Sequence, residues 1–176
     1  MKQILVLTFI VVALNQCVLA QIKGNTVLIA GTTSMAYAEA SSKGASAEAA
    51  NIAIKTGFFV AKNFALGASL AFSYTGFSAP TQQTTFTRST VYGVFGRYYV
   101  SSFIIGVGYG TAIISNYGNN GGSGKSEQIP IEIGFAGFIT DNITLEPIFT
   151  YIIGEEVNTM VYGLGFGLYF NRQIEK

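Results

Sequence analysis

The stretch "FALGASLAFSY", Phe64 to Tyr74, separates into two unlike sets of residues. Every second residue from Phe64 reads Phe, Leu, Ala, Leu, Phe, Tyr, and those between read Ala, Gly, Ser, Ala, Ser. A period of two is the signature of a β-strand, whose side chains point alternately to opposite faces. One face of this strand is bulky and apolar, and the other is small.

The pattern recurs, giving eight expected strands: Asn25 to Tyr37, Asn51 to Val60, Phe64 to Tyr74, Thr87 to Val100, Phe103 to Ile114, Gln128 to Ile139, Ile143 to Ile153 and Thr159 to Phe170. Most reach the roughly nine to eleven residues that a tilted strand needs to cross a bilayer. The connections alternate in length. Ala61-Lys62-Asn63, Ser101-Ser102 and Thr140-Asp141-Asn142 are short turns, whereas Ala38 to Ala50, Thr75 to Phe86 and Ser115 to Glu127 are longer, polar or small-residue loops. Gly154 to Asn158 is short but acidic. Tight turns at one end and long loops at the other are the asymmetry of barrels in outer membranes. The alanines of the first long loop also allow a short helix there.

Composition points the same way. Charged residues make up 11% of the 176-residue chain and mean hydropathy is +0.42, where a soluble domain carries roughly a quarter charged residues. The first twenty residues read as a cleaved secretory signal, with Met1-Lys2, an apolar run from Ile4 to Leu14 and Val18-Leu19-Ala20 before a cut at Gln21. Cys17 follows Asn15-Gln16, a poor context for acylation. Residues 21–176 then form a single domain with no cysteine or histidine, nine basic residues (ten less Lys2) and nine acidic ones. That composition excludes a disulfide-stapled domain and gives no reason to expect nucleic acid as a partner. After the signal there is no apolar run of about eighteen residues, so crossing a bilayer requires a closed barrel, which satisfies its own backbone hydrogen bonds. The expected fold is all-β, an eight-stranded antiparallel up-and-down transmembrane barrel.

The two faces can be assigned. Gly, Ala and Ser on the outside would make a poor aqueous surface, so the bulky face meets lipid and the small face fills a narrow lumen. Lys55, Arg97, Glu132 and Glu146 all fall on the small face. A cation on the lipid face would cost about 2–4 kcal/mol at the midplane, whereas inside the lumen two cations and two anions can neutralise one another. Tyr37, Tyr74, Tyr92, Tyr109, Tyr151 and Tyr162 fall on the lipid face towards the loop ends, and Phe64, Tyr98, Phe103 and Phe170 towards the turn ends. They are placed as two interfacial girdles. The inverse arrangement, with the bulky face inward, would be a soluble lipid-binding container.

With these residues in place, the chain resembles the small bacterial outer-membrane β-barrel superfamily, of the OmpX, OmpW and OmpA-barrel type found in Gram-negative envelopes. The resemblance covers the signal segment and essentially all of Gln21 to Phe170. The segment "GLGFGLYF", Gly163 to Phe170, is similar to the assembly signal of such proteins, with Gly165, Leu168 and Phe170 at its spaced positions. Gly163 stands where a polar residue is usual, and the chain continues past Phe170 to Lys176. The resemblance implies outer-membrane lipid and the barrel-insertion machinery as partners, and a monomer.

Chemistry-bearing motifs are few. "GNNGGSGKS" in the third loop looks like a phosphate-binding loop, but Asn119 occupies a required glycine position and a strand follows it, not a helix. The glycines of "GVGYG" and "GLGFG" repeat with strand periodicity and line one face. Without histidine there is no Ser-His or His-Asp device, and without histidine or mature cysteine a transition-metal site has no usual ligands. Glu132 and Glu146 could form a carboxylate pair, although neutralising Lys55 and Arg97 is the simpler role; Glu155-Glu156 reads as a solvated turn. The expected protein is non-enzymatic, with no cofactor and no metal, acting through its external loops. The alternative is a narrow channel for small apolar solutes, as a resemblance to OmpW would imply.

Overall fold

The computed structural model describes residue 22 and residues 25–40, 45–79, 82–117, 122–155 and 158–170. The expected signal segment, its cut at Gln21, Glu156 and the tail after Phe170 lie outside these. The strands are β1 (Val27–Ala40), β2 (Ala45–Ala61), β3 (Phe64–Ala79), β4 (Gln82–Val100), β5 (Phe103–Tyr117), β6 (Gly122–Phe135), β7 (Gly137–Thr140), β8 (Ile143–Gly154) and β9 (Thr159–Phe170). β1 to β6 pair antiparallel in order, β8 pairs with β6, β7 and β9, and β1 pairs with β9, so the sheet closes on itself.

β6 and β7 are one stave of an eight-stranded barrel. Both pair with β8 in a single register, Gly134 opposite Ile148 and Gly137 opposite Leu145. Pro147 lies in β8 at the interruption and has no N–H to donate. Pro130 does the same to the β5–β6 ladder, whose pairs stop at Val107–Ile131 and resume at Gly110–Gln128. Opposite it, a Cβ on Gly108 would lie 3.0 Å from Pro130 Cγ.

Three turns follow the short-connection pattern. Lys62-Asn63, Ser101-Ser102 and Asp141-Asn142 each reverse the chain in two residues, with Asn63 (φ 62°) and Ser101 (φ 58°) in the left-handed region. At the other end the strands run on. Ala45 to Ala50, expected as loop or short helix, extend β2. Gln82 to Phe86 extend β4, and Ser115 to Tyr117 and Gly122 to Glu127 extend β5 and β6. Alanine's helix preference is overridden because Ala45 to Ala50 pair with β1 on one side and, from Ser46, with β3 on the other.

The register fixes the barrel's shape. Walking across paired residues from Phe170 leads to Val27, Phe58, Leu66, Gly96, Val107, Ile131, Tyr151 and finally Met160. The walk returns to β9 ten residues from its start, 170 − 160 = 10. For eight strands this stagger requires a tilt of about 41° and a radius of about 8 Å. Each residue along a strand then climbs about 2.5 Å along the barrel axis, and each step to the next strand about 3 Å.

Candidate functional site

Alternation places the small face inside. Val27, Ile54, Phe72, Val94, Ile105, Ile133 and Phe166 are exposed on the outer wall, whereas Leu28, Lys55, Ala65, Phe95, Arg97, Ile104 and Glu132 are buried in the lumen. The outward apolar belt is what a hydrocarbon solvent requires, and a soluble container would carry it inside. The chain is a transmembrane β-barrel.

The belt has two rims. Phe170, Phe64, Phe103 and Tyr98 span the lowest 8 Å or so, while Tyr162, Tyr109, Tyr151 and Tyr92 lie about 20–23 Å above Phe170 and Tyr74 about 29 Å. Their separation approximates the ~25 Å apolar band of membrane barrels. Tyr37 falls in β1 opposite Glu48; its side chain lies outside the described part of the structure.

The four charged residues on the small face converge in the lumen. Lys55 Nζ pairs with Glu132 Oε1. Arg97 Nε donates to Glu132 Oε2 at 3.0 Å, and Arg97 Nη1 to Glu146 Oε2 at 3.1 Å. The Arg97 and Glu146 side chains are both 0% exposed. The result is a chain of alternating charge, Lys55–Glu132–Arg97–Glu146, at about 9–16 Å above Phe170, the middle of the apolar band. Phe95 packs beside both cations, its ring centre 5.6 Å from Lys55 Nζ and 5.8 Å from the Arg97 guanidinium.

Sequence reasoning missed the groups that complete this network. Glu146 Oε1 accepts hydrogen bonds from Thr144 Oγ1 at 2.8 Å and Tyr169 Oη at 2.9 Å. The Tyr169 and Tyr99 hydroxyls lie 3.3 Å apart, within hydrogen-bond distance. Tyr99, Tyr169 and Phe59 pack with ring centres 5.4–6.2 Å apart, and with Ile22, Leu28, Ile104 and Ala136 they fill the turn end of the lumen. The signal available was a bulky residue standing on the small face among glycines, as Tyr169 does after Gly163, Gly165 and Gly167. Ile22 is strapped beneath: its N–H donates to Asn63 Oδ1 at 3.0 Å, and the Asn63 N–H donates to its carbonyl at 2.9 Å.

Glycines make room for these groups. A Cβ on Gly106 would lie 3.1 Å from Glu132 Oε2 and 3.2 Å from Arg97 Cγ. One on Gly167 would lie 2.5 Å from Glu146 Oε1 and 3.0 Å from Tyr169 Cε2. Of the residues expected to form the assembly signal, Gly165 faces inward, where a Cβ would meet Thr32 Cγ2 at 2.7 Å, and Leu168 and Phe170 are exposed on the outer wall.

Above the network the lumen opens. A cavity of about 110 Å³ has Lys55 and Glu132 at its floor. Its β1–β3 wall carries Thr32, Ser34, Asn51 and Ser69, and its opposite wall Val91, Pro130, Ile152 and Val161. Gln128 lines both this cavity and a vestibule of about 360 Å³ bordered by Asn116, Ser126 and Glu155. Among the described residues no group of three or more His, Cys, Asp or Glu could hold a metal ion.

No family model matches the chain, and no curated protein does. Solved structures do. The N-terminal β-barrel domain of Pseudomonas aeruginosa OprF aligns with a TM-score of 0.55 at 18% identity, over 84% of this chain and 98% of that one. Ail, the attachment invasion locus protein of Yersinia pestis, aligns at 0.53 and 15% identity, over 85% and 100%. Neisserial surface protein A aligns at 0.51 and 14% identity, over 82% and 97%. The fold is that of the small eight-stranded outer-membrane barrels.

Proposed function

We propose that the chain is a non-enzymatic outer-membrane protein that acts at the cell surface through the strand extensions and loops above its apolar band. The observation that carries this reading is the reach of β2–β5. They are 17, 16, 19 and 15 residues long, where about nine to eleven suffice to cross the bilayer. The extra length stands clear of lipid on the side of the long connections. Two structural neighbours are named as an attachment protein and a surface protein, which supports the reading without carrying it. The test is to replace residues 76–86 with a tight turn and compare adhesion of cells displaying each form. Loss of adhesion with retained heat-modifiable gel mobility is the expected result. Unchanged adhesion in assays where the full-length protein adheres removes the β3–β4 hairpin from the function.

A second reading, passage of small apolar solutes, draws on the upper cavity and its apolar wall. Its obstacle is the floor, where the ion network and aromatic cluster fill the bore. Single barrels in a planar bilayer should give no large current step, and a large step would favour passage.

A further inference from the structure

Just above the upper girdle, the outer wall carries charge that the lumen network does not use. Arg88 is exposed and its side chain points outward, on the same face as Tyr92 and Val94. It stands about 33 Å above Phe170, with Lys125 at about the same height. With an apolar band ~25 Å tall and headgroup layers of about 5–8 Å on either side, this is the level of the outer-leaflet headgroups.

The Arg88 guanidinium is held in place. Its Cζ lies 5.5 Å from the Phe86 ring centre and 5.6 Å from that of Tyr117. Those two rings stack on one another at 4.7 Å and 15°, and Tyr74 packs against Phe86 at 6.2 Å. A planar cation on an aromatic platform keeps its N–H groups free for an anion and loses less rotamer freedom on binding one.

Two carboxylates at this level face tyrosine hydroxyls. Glu48 Oε1 accepts from Tyr74 Oη at 3.0 Å, and Glu127 lies beside the Tyr109 hydroxyl. Among the described residues neither Arg88 nor Lys125 forms an ion pair. Lys125 stands at the rim, also bordering the vestibule with Glu155. Arg88 pairs in register with Ser115, which pairs with Ser123, and Lys125 is two residues further along β6. The two cations' Cα atoms are therefore about 12 Å apart, a span their side chains can close from both sides.

We propose that Arg88, clamped by Phe86 and Tyr117, forms with Lys125 a site on the outer wall for the phosphate groups of an outer-leaflet lipid. Height and outward direction select the lipid over a solute in the lumen, and two unpaired cations select an anionic headgroup.

Diphosphoryl lipid A is the probe, titrated into the purified barrel in neutral phospholipid nanodiscs, with fully dephosphorylated lipid A as its control. Arg88→Gln should weaken binding about tenfold, and Arg88→Gln with Lys125→Gln further still. Lys62→Gln, at the opposite rim, should leave binding unchanged. All variants should keep heat-modifiable mobility, since none of these side chains enters the lumen core. Equal binding by wild type and the double variant overturns the proposal, as does equal binding of the dephosphorylated lipid. Full competition by millimolar inorganic phosphate would make this a site for soluble anions and equally overturn the assignment to lipid.

Discussion

Arg97→Met should be among the most damaging single substitutions in the lumen, and the wiring of the network says why. Arg97 touches two carboxylates, Glu132 at 3.0 Å and Glu146 at 3.1 Å. Removing it leaves Glu132 with Lys55 as a partner but leaves Glu146, fully buried, with only the hydroxyls of Thr144 and Tyr169. Breaking a buried pair by removing one partner costs about 3–5 kcal/mol, because the remaining charge has no compensation. That is a shift of about a hundredfold to a few thousandfold in the folding equilibrium. Lys55→Met is the internal control. It removes one contact, yet Glu132 keeps Arg97, so its cost should be nearer 1–2 kcal/mol. Adding Glu146→Leu to Arg97→Met removes the stranded charge and should restore most of the loss. The assay is equilibrium urea unfolding in lipid vesicles, read by tyrosine fluorescence and by the folded band on unheated gels. If Arg97→Met is no worse than Lys55→Met, or the double variant is no more stable than Arg97→Met, the charge chain does not hold the lumen together.

Further consequences follow from register and height. Ile133, about 14 Å above Phe170, and Leu70, about 19 Å, both face lipid; Ile133→Arg should cost about 2–4 kcal/mol and Leu70→Arg less, because it lies nearer an interface. Equal costs by vesicle unfolding would mean that the band is misplaced. Gly167→Ala drives a Cβ towards Glu146 and Tyr169, whereas a Cβ on Gly124 meets nothing within 4 Å. The first should lose about 1–3 kcal/mol and Gly124→Ala close to none, by the same unfolding assay. Asn63→Gly keeps a residue suited to the left-handed turn but removes the acceptor for the Ile22 N–H. The Ile22 amide should then exchange faster with deuterium while the ladder amides of β4 stay protected; unchanged exchange at Ile22 would show that the strap is held by something other than Asn63.

The sequence was most legible where lipid dictates it. Thr159 to Phe170 has the same bounds as an expected strand and as β9, because a bilayer demands a bulky residue at every second position and the turns at the other end are marked by Asn, Asp and Ser. Past the upper girdle that demand disappears. Gln82 to Phe86 and Ala45 to Ala50 belong to paired strands without a continuous apolar face, so alternation alone reads them as loop. The lumen shows a second limit. Parity placed Lys55, Arg97, Glu132 and Glu146 on one face, but whether they meet depends on height. Height depends on the ten-residue stagger, which only the pairing register reveals. Tyr99, Tyr169 and Thr144 went unassigned for the same reason. Arg88 was missed differently: it lies within the expected strand Thr87 to Val100, on the face of Tyr92, and its meaning comes from its level relative to the tyrosines.

The distribution of bulk along the bore bears on what the barrel does. The stagger gives a cylinder of about 8 Å radius at every level, so occupancy is decided by side chains alone. In the turn half the inward residues include Phe59, Phe95, Arg97, Tyr99 and Tyr169, which fill it. In the loop half they include Thr32, Ser34, Asn51, Ser69 and Ala71, which leave a cavity. The lumen is thus a cup, floored by charge and open towards the vestibule. A solute passing through must part Arg97 from Glu146, at a cost of about 3–5 kcal/mol if nothing replaces the contact. The open form would then be a fraction of about one in a hundred to one in a few thousand. Such a floor favours a barrel whose work lies at its outer end, where the strands outrun the membrane. It also makes the passage reading depend on one measurable quantity, whether Arg97→Met raises conductance in barrels that still fold.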